Sequence, residues 1–425
     1  MDYNQLDKEL LWHPFTHQYN KADNLLITKA EGLYYFDASG NKYMDAVSSW
    51  WVNLHGHTHP YITDKVSKQA STLEHVMFSG FTHPPAIELA RRLKKHLPAS
   101  HSKIFYSDNG STAVEVALKM TLQFWHNQNK PKHIFIALEN AYHGDTFGSM
   151  SVSARNVFNN AFDNQLFHVA HIPHPTPENV EQIKEVIGEW SKNHSVAGFI
   201  FEPLVQGAGG MFMYNAKALD EILRYCKELD IITIADEVMT GFGRTGKFFA
   251  CDYLSNAPDI MCLSKGLTGG YLPLGVTSCN DKIYEAYLSS DKNKTFFHGH
   301  SYTANPLACS AGLASLDLLE EVSTWQSIAN IQTQQKQFAE QLKTHKACNN
   351  LRTLGTILAL NINSTEESNY LNSEAKEAPA YFLTRGVIIR PLGNVIYLIP
   401  PYCTKKEELK HMHDVIQSYL DSLVS

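Results

Sequence analysis

An α/β fold with a mostly parallel sheet, joined to a smaller α+β unit, is what this sequence predicts, and three observations carry that reading. Between residues 103 and 263, short apolar runs alternate with amphipathic stretches of helical period, the order that right-handed βαβ units produce. Runs such as Ile231 to Ala235 and Ile260 to Leu263 are apolar throughout, as strands buried on both faces of a parallel sheet are. Past about residue 325 the order changes to a polar helix, short strands and further helices.

At 425 residues the chain exceeds one ordinary domain. The pattern divides it into a large domain over 49–324 and a small domain built from 1–48 and 325–425. With 44% hydrophobic and 19% charged residues the composition is that of a globular protein. A formal charge of −7 offers no basic field for nucleic acid or anionic lipid. The seven cysteines show no C-x-x-C pair and read as free thiols of a reducing cytoplasm. The opening stretch MDYNQLDKELLWHPF carries acids and lacks the apolar core of a signal peptide. No apolar run approaches the roughly 18 residues of a membrane span. The expected setting is the cytoplasm.

Residues 1 to about 48 read as irregular, with a hairpin turning at S-G-N between Tyr34–Phe36 and Tyr43–Met44. SSWWVNLHGHTHP follows. On an extended segment Trp50 and Trp51 face opposite ways, so that one packs and the other lines a pocket, or both pack. PPAIELARRLKKHLP (84–98) places Ile87, Ala90, Leu93 and Leu97 on one helical face. After the strand KIFYS, Gly110, Ser111 and Thr112 open a helix, where free backbone N–H groups either receive an anion or are simply capped. HIFIALE is a buried strand with Tyr142 just past its end, placed to stack on an aromatic ligand or to pack. VAGFIFE ends in Glu202 and leads into the glycine-rich P-L-V-Q-G-A-G-G. AKALDEILRYCKELD is an amphipathic helix returning to the strand that ends at Asp236. Beyond Lys265, GVTSC adds a strand, and Asn305-Pro306 opens a helix to 320. In the small domain LRTLG, ILALNIN, VIIRP and VIYLIP read as strands and 374–385 and 405–422 as helices.

Asp236 and Lys265 follow two of these buried strands, and ligands of open α/β sheets bind outside the carboxyl ends of the strands. An acid and an amine converging there suit pyridoxal phosphate, which needs an amine to bond its aldehyde and a carboxylate to keep its ring nitrogen protonated. Either residue alone reads equally as a strand-end cap or a surface lysine. The surrounding pattern, D-E-x-x-T-G-F-G-R-T-G followed by P-D-I-x-x-x-S-K-G-L-T-G-G, decides between them. It resembles the class III (subgroup II) pyridoxal-phosphate-dependent aminotransferases over nearly the whole chain, and within them the branch that forms 7,8-diaminononanoate for biotin synthesis.

That resemblance implies fold type I of the pyridoxal-phosphate transferases, with a seven-stranded-type sheet, and a ping-pong aminotransferase working as a homodimer with shared sites. It makes Lys265 and Asp236 the catalytic pair, assigns Gly110 and Ser111 to the cofactor phosphate and lays Tyr142 on the pyridine ring. Gly299 and Ser301 reach the partner's cofactor phosphate, with Ser301 replacing the usual threonine. Trp50 and Trp51 join the substrate pocket with Tyr142, and Glu202, Arg244 and Asp145 act from behind. Arg244 admits three roles, positioning substrate, pairing acids or fixing its loop, of which the last two are favoured. Relatives using 2-oxoglutarate carry I-R-x-x-P-P, whereas this chain reads I-Y-L-I-P-P, so Tyr397 stands in place of a carboxylate-clamping arginine. Arg390, earlier in I-I-R-P, then holds the distal carboxylate of 8-amino-7-oxononanoate.

One position departs from the branch. W-H-P-Y-T becomes Trp12, His13, Pro14, Phe15 and Thr16, so the substrate site loses a hydroxyl. One hydrogen bond is worth about 0.5–1.5 kcal/mol, enough to change the amino donor without abolishing activity. S-adenosylmethionine is the usual donor, and lysine serves in some relatives. The competing readings are another class III ω-aminotransferase passing a terminal amine to pyruvate, and a non-catalytic pyridoxal-phosphate-binding regulator. H-G-H-T-H at 55–59 lacks a supporting carboxylate and is not expected to bind metal.

Overall fold

The computed structural model describes residues 1–19, 23–363 and 375–424. Its centre is a seven-stranded sheet in the order His101–Ser107, Gly275–Asn280, Ile260–Leu263, Ile232–Asp236, Val196–Phe201, Ile134–Leu138, Val169–Ile172. All neighbours from Ile260–Leu263 outward to Val169–Ile172 pair in parallel. Gly275–Asn280 runs antiparallel to both its neighbours. The connection from Leu263 explains the reversal: it carries only a short 3₁₀ turn at Lys265–Thr268, then Gly269 and Gly270 at φ 62° and 87°. No crossover helix fits there, and a parallel return needs one.

The middle strands are buried at every residue, and that is why they read as unbroken apolar runs. Ala218, Leu219, Ile222, Leu223 and Cys226 form the buried stripe of the helix Ala216–Glu228. The helix Gly110–Asn127 is closed by a capping box: Thr112 N donates to Asn109 Oδ1 (2.9 Å) and Asn109 N to Thr112 Oγ1 (3.1 Å). A second core, with Phe338, Leu360, Phe382, Leu398 and Ile416, lies in the C-terminal part. There Cys348–Leu354, Ile357–Ile362 and Val395–Leu398 form an antiparallel sheet. The short strand Val387–Ile388 pairs in parallel with Lys42–Asp45, joining the N-terminal meander to the C-terminal segment.

The structure differs from the sequence expectations in several places. Tyr3–Leu10 is a helix with no buried residue, capped by Asp2, where irregular chain is expected. Helix Pro84–Leu93 turns Ala86, Leu89 and Leu93 inward and leaves Ile87 57% exposed. The inward stripe begins at the smaller Ala86, so a reading by hydrophobicity alone sets the face one residue off. The helix expected from 374 runs over Ala378–Leu383, residue 374 lying outside the described residues. Most consequentially, Ser48–Trp51 is no extended segment. All four residues have positive φ, 51°, 62°, 111° and 71°, in a left-handed turn.

Candidate active site

Three neighbouring strands end in the groups that face each other across the crevice: Glu202, Asp236 and, after Leu263, Lys265. Asp236 Oδ1 accepts from the Val238 N–H (3.1 Å), and Oδ2 meets His143 Nδ1 at 2.7 Å, both side chains being buried. The other ring nitrogen of His143 is buried without a partner among the described residues. Burial pulls the Lys265 amine down to about 8, against the pull of Asp236 and Glu202 and with Arg244 assisting. Its Nζ lies 4.6 Å from the Trp51 ring centre. Burial pushes the Glu202 carboxyl up to about 7, although its oxygens accept from the Tyr142 (3.1 Å) and Gly207 (3.0 Å) N–H groups.

Asp236, Lys265, Glu202, Tyr142, Gly110 and Ser111 line one cavity of about 410 Å³. Ser111 Oγ meets Thr146 Oγ1 (2.9 Å) and accepts from Thr146 N (3.1 Å), and Glu115 accepts from Thr146 Oγ1 and from Gly148 N (2.7 Å). This network clamps the Tyr142–Thr146 loop over the start of the helix. Gly144, at φ 126°, lies so close to Ser111 that a β-carbon there would strike it.

A second cavity, of about 320 Å³, also reaches Lys265 but has mainly apolar walls, with Phe15, Trp50, Val52 and Leu392, and includes Arg390. The Arg390 guanidinium carbon lies 4.2 Å from the Trp50 ring centre. Phe15 stands edge-on to Trp50 at 5.4 Å and to Phe158 at 5.9 Å. The left-handed turn produces this division by aiming Trp50 at Arg390 and Trp51 at Lys265. Four non-glycine residues in that conformation are strained. Neighbours hold them: Ser48 Oγ donates to Ile399 O (2.6 Å), Trp51 Nε1 to Tyr397 Oη (3.0 Å), and Arg244 to Trp51 O (3.2 Å) and Asn53 O (2.9 Å).

The structure thus brings Lys265, Asp236, Glu202, Tyr142, Gly110, Ser111, Trp50, Trp51, Phe15, Asp145 and Arg390 around two joined cavities. Tyr397 is 1% exposed and lines neither of these two cavities; its hydroxyl accepts the indole N–H of Trp51. Arg244 is fully buried, its two terminal nitrogens donating to backbone carbonyls while its Nε has no hydrogen-bond partner among the described residues. Gly299 and Ser301 line neither cavity of their own chain; Ser301 O is bound by His75 Nε2 at 2.6 Å. Sequence reasoning missed His143 and Thr146. His143 stands between Tyr142 and Gly144 in an already noted loop, and its contact with Asp236 spans two strand ends that only the fold makes adjacent. Among the described residues no three His, Cys, Asp or Glu side chains group to hold a metal. No helix among the described residues is long and apolar enough to cross a membrane.

The donor set fits pyridoxal phosphate group by group. The cavity offers a buried carboxylate suited to a ring nitrogen, an amine to an aldehyde, a tyrosine to an aromatic face, and the start of an 18-residue helix with Ser111 to a phosphate. Comparison with known proteins points the same way. The family description aminotransferase class-III matches residues 16–420. An adenosylmethionine-8-amino-7-oxononanoate aminotransferase of Synechococcus elongatus is 44% identical over 97% of this chain and 99% of its own. The crystal structure of the Methanocaldococcus jannaschii protein of that name superposes with a TM-score of 0.94 at 36% identity, covering 99% of this chain and 98% of its own. A PLP-bound amine transaminase from an uncultivated Pseudomonas species gives a TM-score of 0.89 at 30% identity, over 97% of this chain and 98% of that one.

Proposed function

The chain belongs to the class III aminotransferases, and from that premise we propose that it moves an amino group from S-adenosylmethionine to the ketone of 8-amino-7-oxononanoate, forming 7,8-diaminononanoate in biotin biosynthesis. Pyridoxal 5′-phosphate is its cofactor. The observation that carries the substrate assignment is the second cavity: Lys265 and Arg390 line one mainly apolar slot. Such a slot suits a molecule with a hydrocarbon chain, a carboxylate at one end and the reacting ketone towards the other. The guanidinium forks onto the carboxylate while Trp50 covers its flat face.

When bound, the cofactor supplies the aldehyde that carries the amino group between substrates and the ring that takes up the electron pair released as a C–H bond breaks. Asp236 holds the proton on the ring nitrogen, and His143 holds Asp236 in place. Tyr142 would cover the ring, its hydroxyl pushed up by burial and by the neighbouring Asp145 carboxylate. Gly110 and Ser111 take the phosphate. Lys265 accepts the proton leaving the donor's α-carbon and delivers one to C7 of the acceptor in the second half-reaction. Its amine, brought down to about 8, is a usable base near neutral pH. Glu202 lies beside this centre without the arginine that accompanies it in 2-oxoglutarate-using relatives, and Arg244 fixes the backbone beneath Trp51.

The protein works in the cytoplasm as a homodimer in which Gly299 and Ser301 complete the partner's phosphate site. Residues 49–324 form the large cofactor-binding domain, and 1–48 with 325–425 the small one. The test is product formation: purified protein, pyridoxal phosphate and 8-amino-7-oxononanoate should give the diamine with S-adenosylmethionine. No diamine with either S-adenosylmethionine or lysine would remove the assignment.

A further inference from the structure

Arg352, on the strand Cys348–Leu354, carries a charge that no acid among the described residues answers. Burial alone brings its guanidinium down to about 10, and its partners are uncharged oxygens. It donates to Asn350 O (2.5 Å) and Asn361 Oδ1 (2.7 Å) within its own sheet. Outside that sheet it donates to Met211 O (2.8 Å) and Gly210 O. Taking a charge out of water without a carboxylate is costly, so stability gives little reason to keep an arginine there.

Gly210 and Met211 form the tip of a hairpin in which Val205–Gln206 pairs with Phe212–Met213. The hairpin is rooted at Glu202: Gly207 N donates to Glu202 Oε1 (3.0 Å), and Tyr214 Oη to Glu202 O. Between root and tip, Ala208 lines both the first cavity and the apolar slot. This backbone has little latitude. A β-carbon on Gly207 would press on the Trp51 ring at 3.1 Å, and one on Gly209 would strike Asn140 O at 2.6 Å. Leu204 and Met211 sit at φ 65° and 52°, a strained shape that has to be held from outside. A planar guanidinium fixes two neighbouring carbonyls at once, which an ammonium cannot do. We infer that Arg352 is a positioning residue for the reaction: from the C-terminal sheet it clamps the hairpin tip and so sets the Ala208 wall and the Gly207 N–H on Glu202. The inference rests on the aminotransferase reading for its effect on rate.

The test uses variants of the cofactor-loaded enzyme. Arg352→Met keeps an apolar stem, and Arg352→Lys keeps the charge without the fork. Each should lower kcat with 8-amino-7-oxononanoate about 10- to 100-fold, the range that misplacement by roughly an ångström produces. Asn361→Ala frees the fork on one side and should give the same signature at smaller amplitude. Without the Gly207 N–H, Glu202 keeps its proton to higher pH, and less negative charge faces Lys265. The pH at which the bound cofactor's visible band changes should therefore fall by a few tenths in every variant. Asp236, His143 and Arg244, which also face this pair, are the same in all of them. Glu202→Gln should shift the band likewise, and adding Arg352→Met to it should move the band no further. Variants that lower only the unfolding midpoint, with kcat and the band as in wild type, would overturn the inference. So would a band shift that Arg352→Met adds undiminished to Glu202→Gln. If Arg352→Met does not fold, Arg352→Lys and Asn361→Ala decide between the same outcomes. The band needs no substrate, so failure of the 8-amino-7-oxononanoate assignment would leave this test standing, and failure of the clamp would leave that assignment intact.

Discussion

The floor of the site and its apolar slot are built by opposite strategies. The floor uses the ends of adjacent parallel strands, so Glu202, Asp236 and Lys265 are fixed by the sheet itself, the two carboxylates almost wholly buried and the lysine partly so. The slot gathers Phe15, Trp50 and Arg390 from segments far apart in sequence, with Phe15 and Trp50 partly exposed and held by ring contacts and a strained turn. A sheet-anchored floor suits the chemistry common to every member of a family. A slot assembled from loops can change its clientele without disturbing that chemistry.

If the floor carries the reaction, its variants should act on rate and its charges on stability. Lys265→Ala should lower kcat by about 10⁴-fold or more, because it removes both the attachment point and the proton carrier. Loss of the bound cofactor's visible absorbance should accompany it. The next largest effect concerns Glu202. Its carboxyl holds a proton up to about 7 when folded, against an ordinary 4.5. Between those values the unfolded chain has released a proton that the folded chain keeps, so stability falls as pH rises through that window. The loss is on the order of 3 kcal/mol when complete. Denaturant unfolding of the cofactor-free protein at pH 4.5 and 7.5 should show it, and Glu202→Gln should remove its share of the slope, leaving that of Glu237, which burial also pushes up to about 7. A slope unchanged in that variant would mean that Glu202 is already ionised by its neighbours.

The slot should answer differently, through affinity. Arg390→Ala removes a charge-assisted contact worth about 1.5–3 kcal/mol. KM for 8-amino-7-oxononanoate should therefore rise roughly 10- to 100-fold, with a smaller change in kcat. A fall in kcat alone would place the acceptor's carboxylate elsewhere and erase the contrast between the two regions.

The same contrast governs what could be read from sequence. Buried parallel strands are apolar at every residue, so their ends, and with them Asp236 and Lys265, could be located by counting. The Ser48–Trp51 turn could not be. Its four residues have no intrinsic liking for positive φ, and what holds them there is Ile399, Tyr397 and Arg244, contacts from distant parts of the chain. The antiparallel turn of Gly275–Asn280 was legible as a strand but not in direction, which depends on how little chain remains after Lys265. His143 was hidden for a third reason: a histidine in a loop carries no period, and its partner is 93 positions away.

Tyr397 tests the boundary between the regions, because it belongs by position to the substrate side and by contact to the floor. Its hydroxyl accepts the Trp51 indole N–H, and Trp51 in turn covers the Lys265 amine. Tyr397→Phe leaves a buried N–H without its acceptor, a cost of about 1–3 kcal/mol in stability. A ring near an ammonium favours its charged form, so a loosened Trp51 should move the pH at which Lys265 becomes neutral downward by a few tenths. The pH profile of kcat would display that move. A residue that touches only substrate would instead raise KM and leave unfolding and the pH profile where they were. The expected small change in stability and pH profile, with KM within about threefold, would assign Tyr397 to the support of the floor and explain why a tyrosine can stand where relatives keep an arginine.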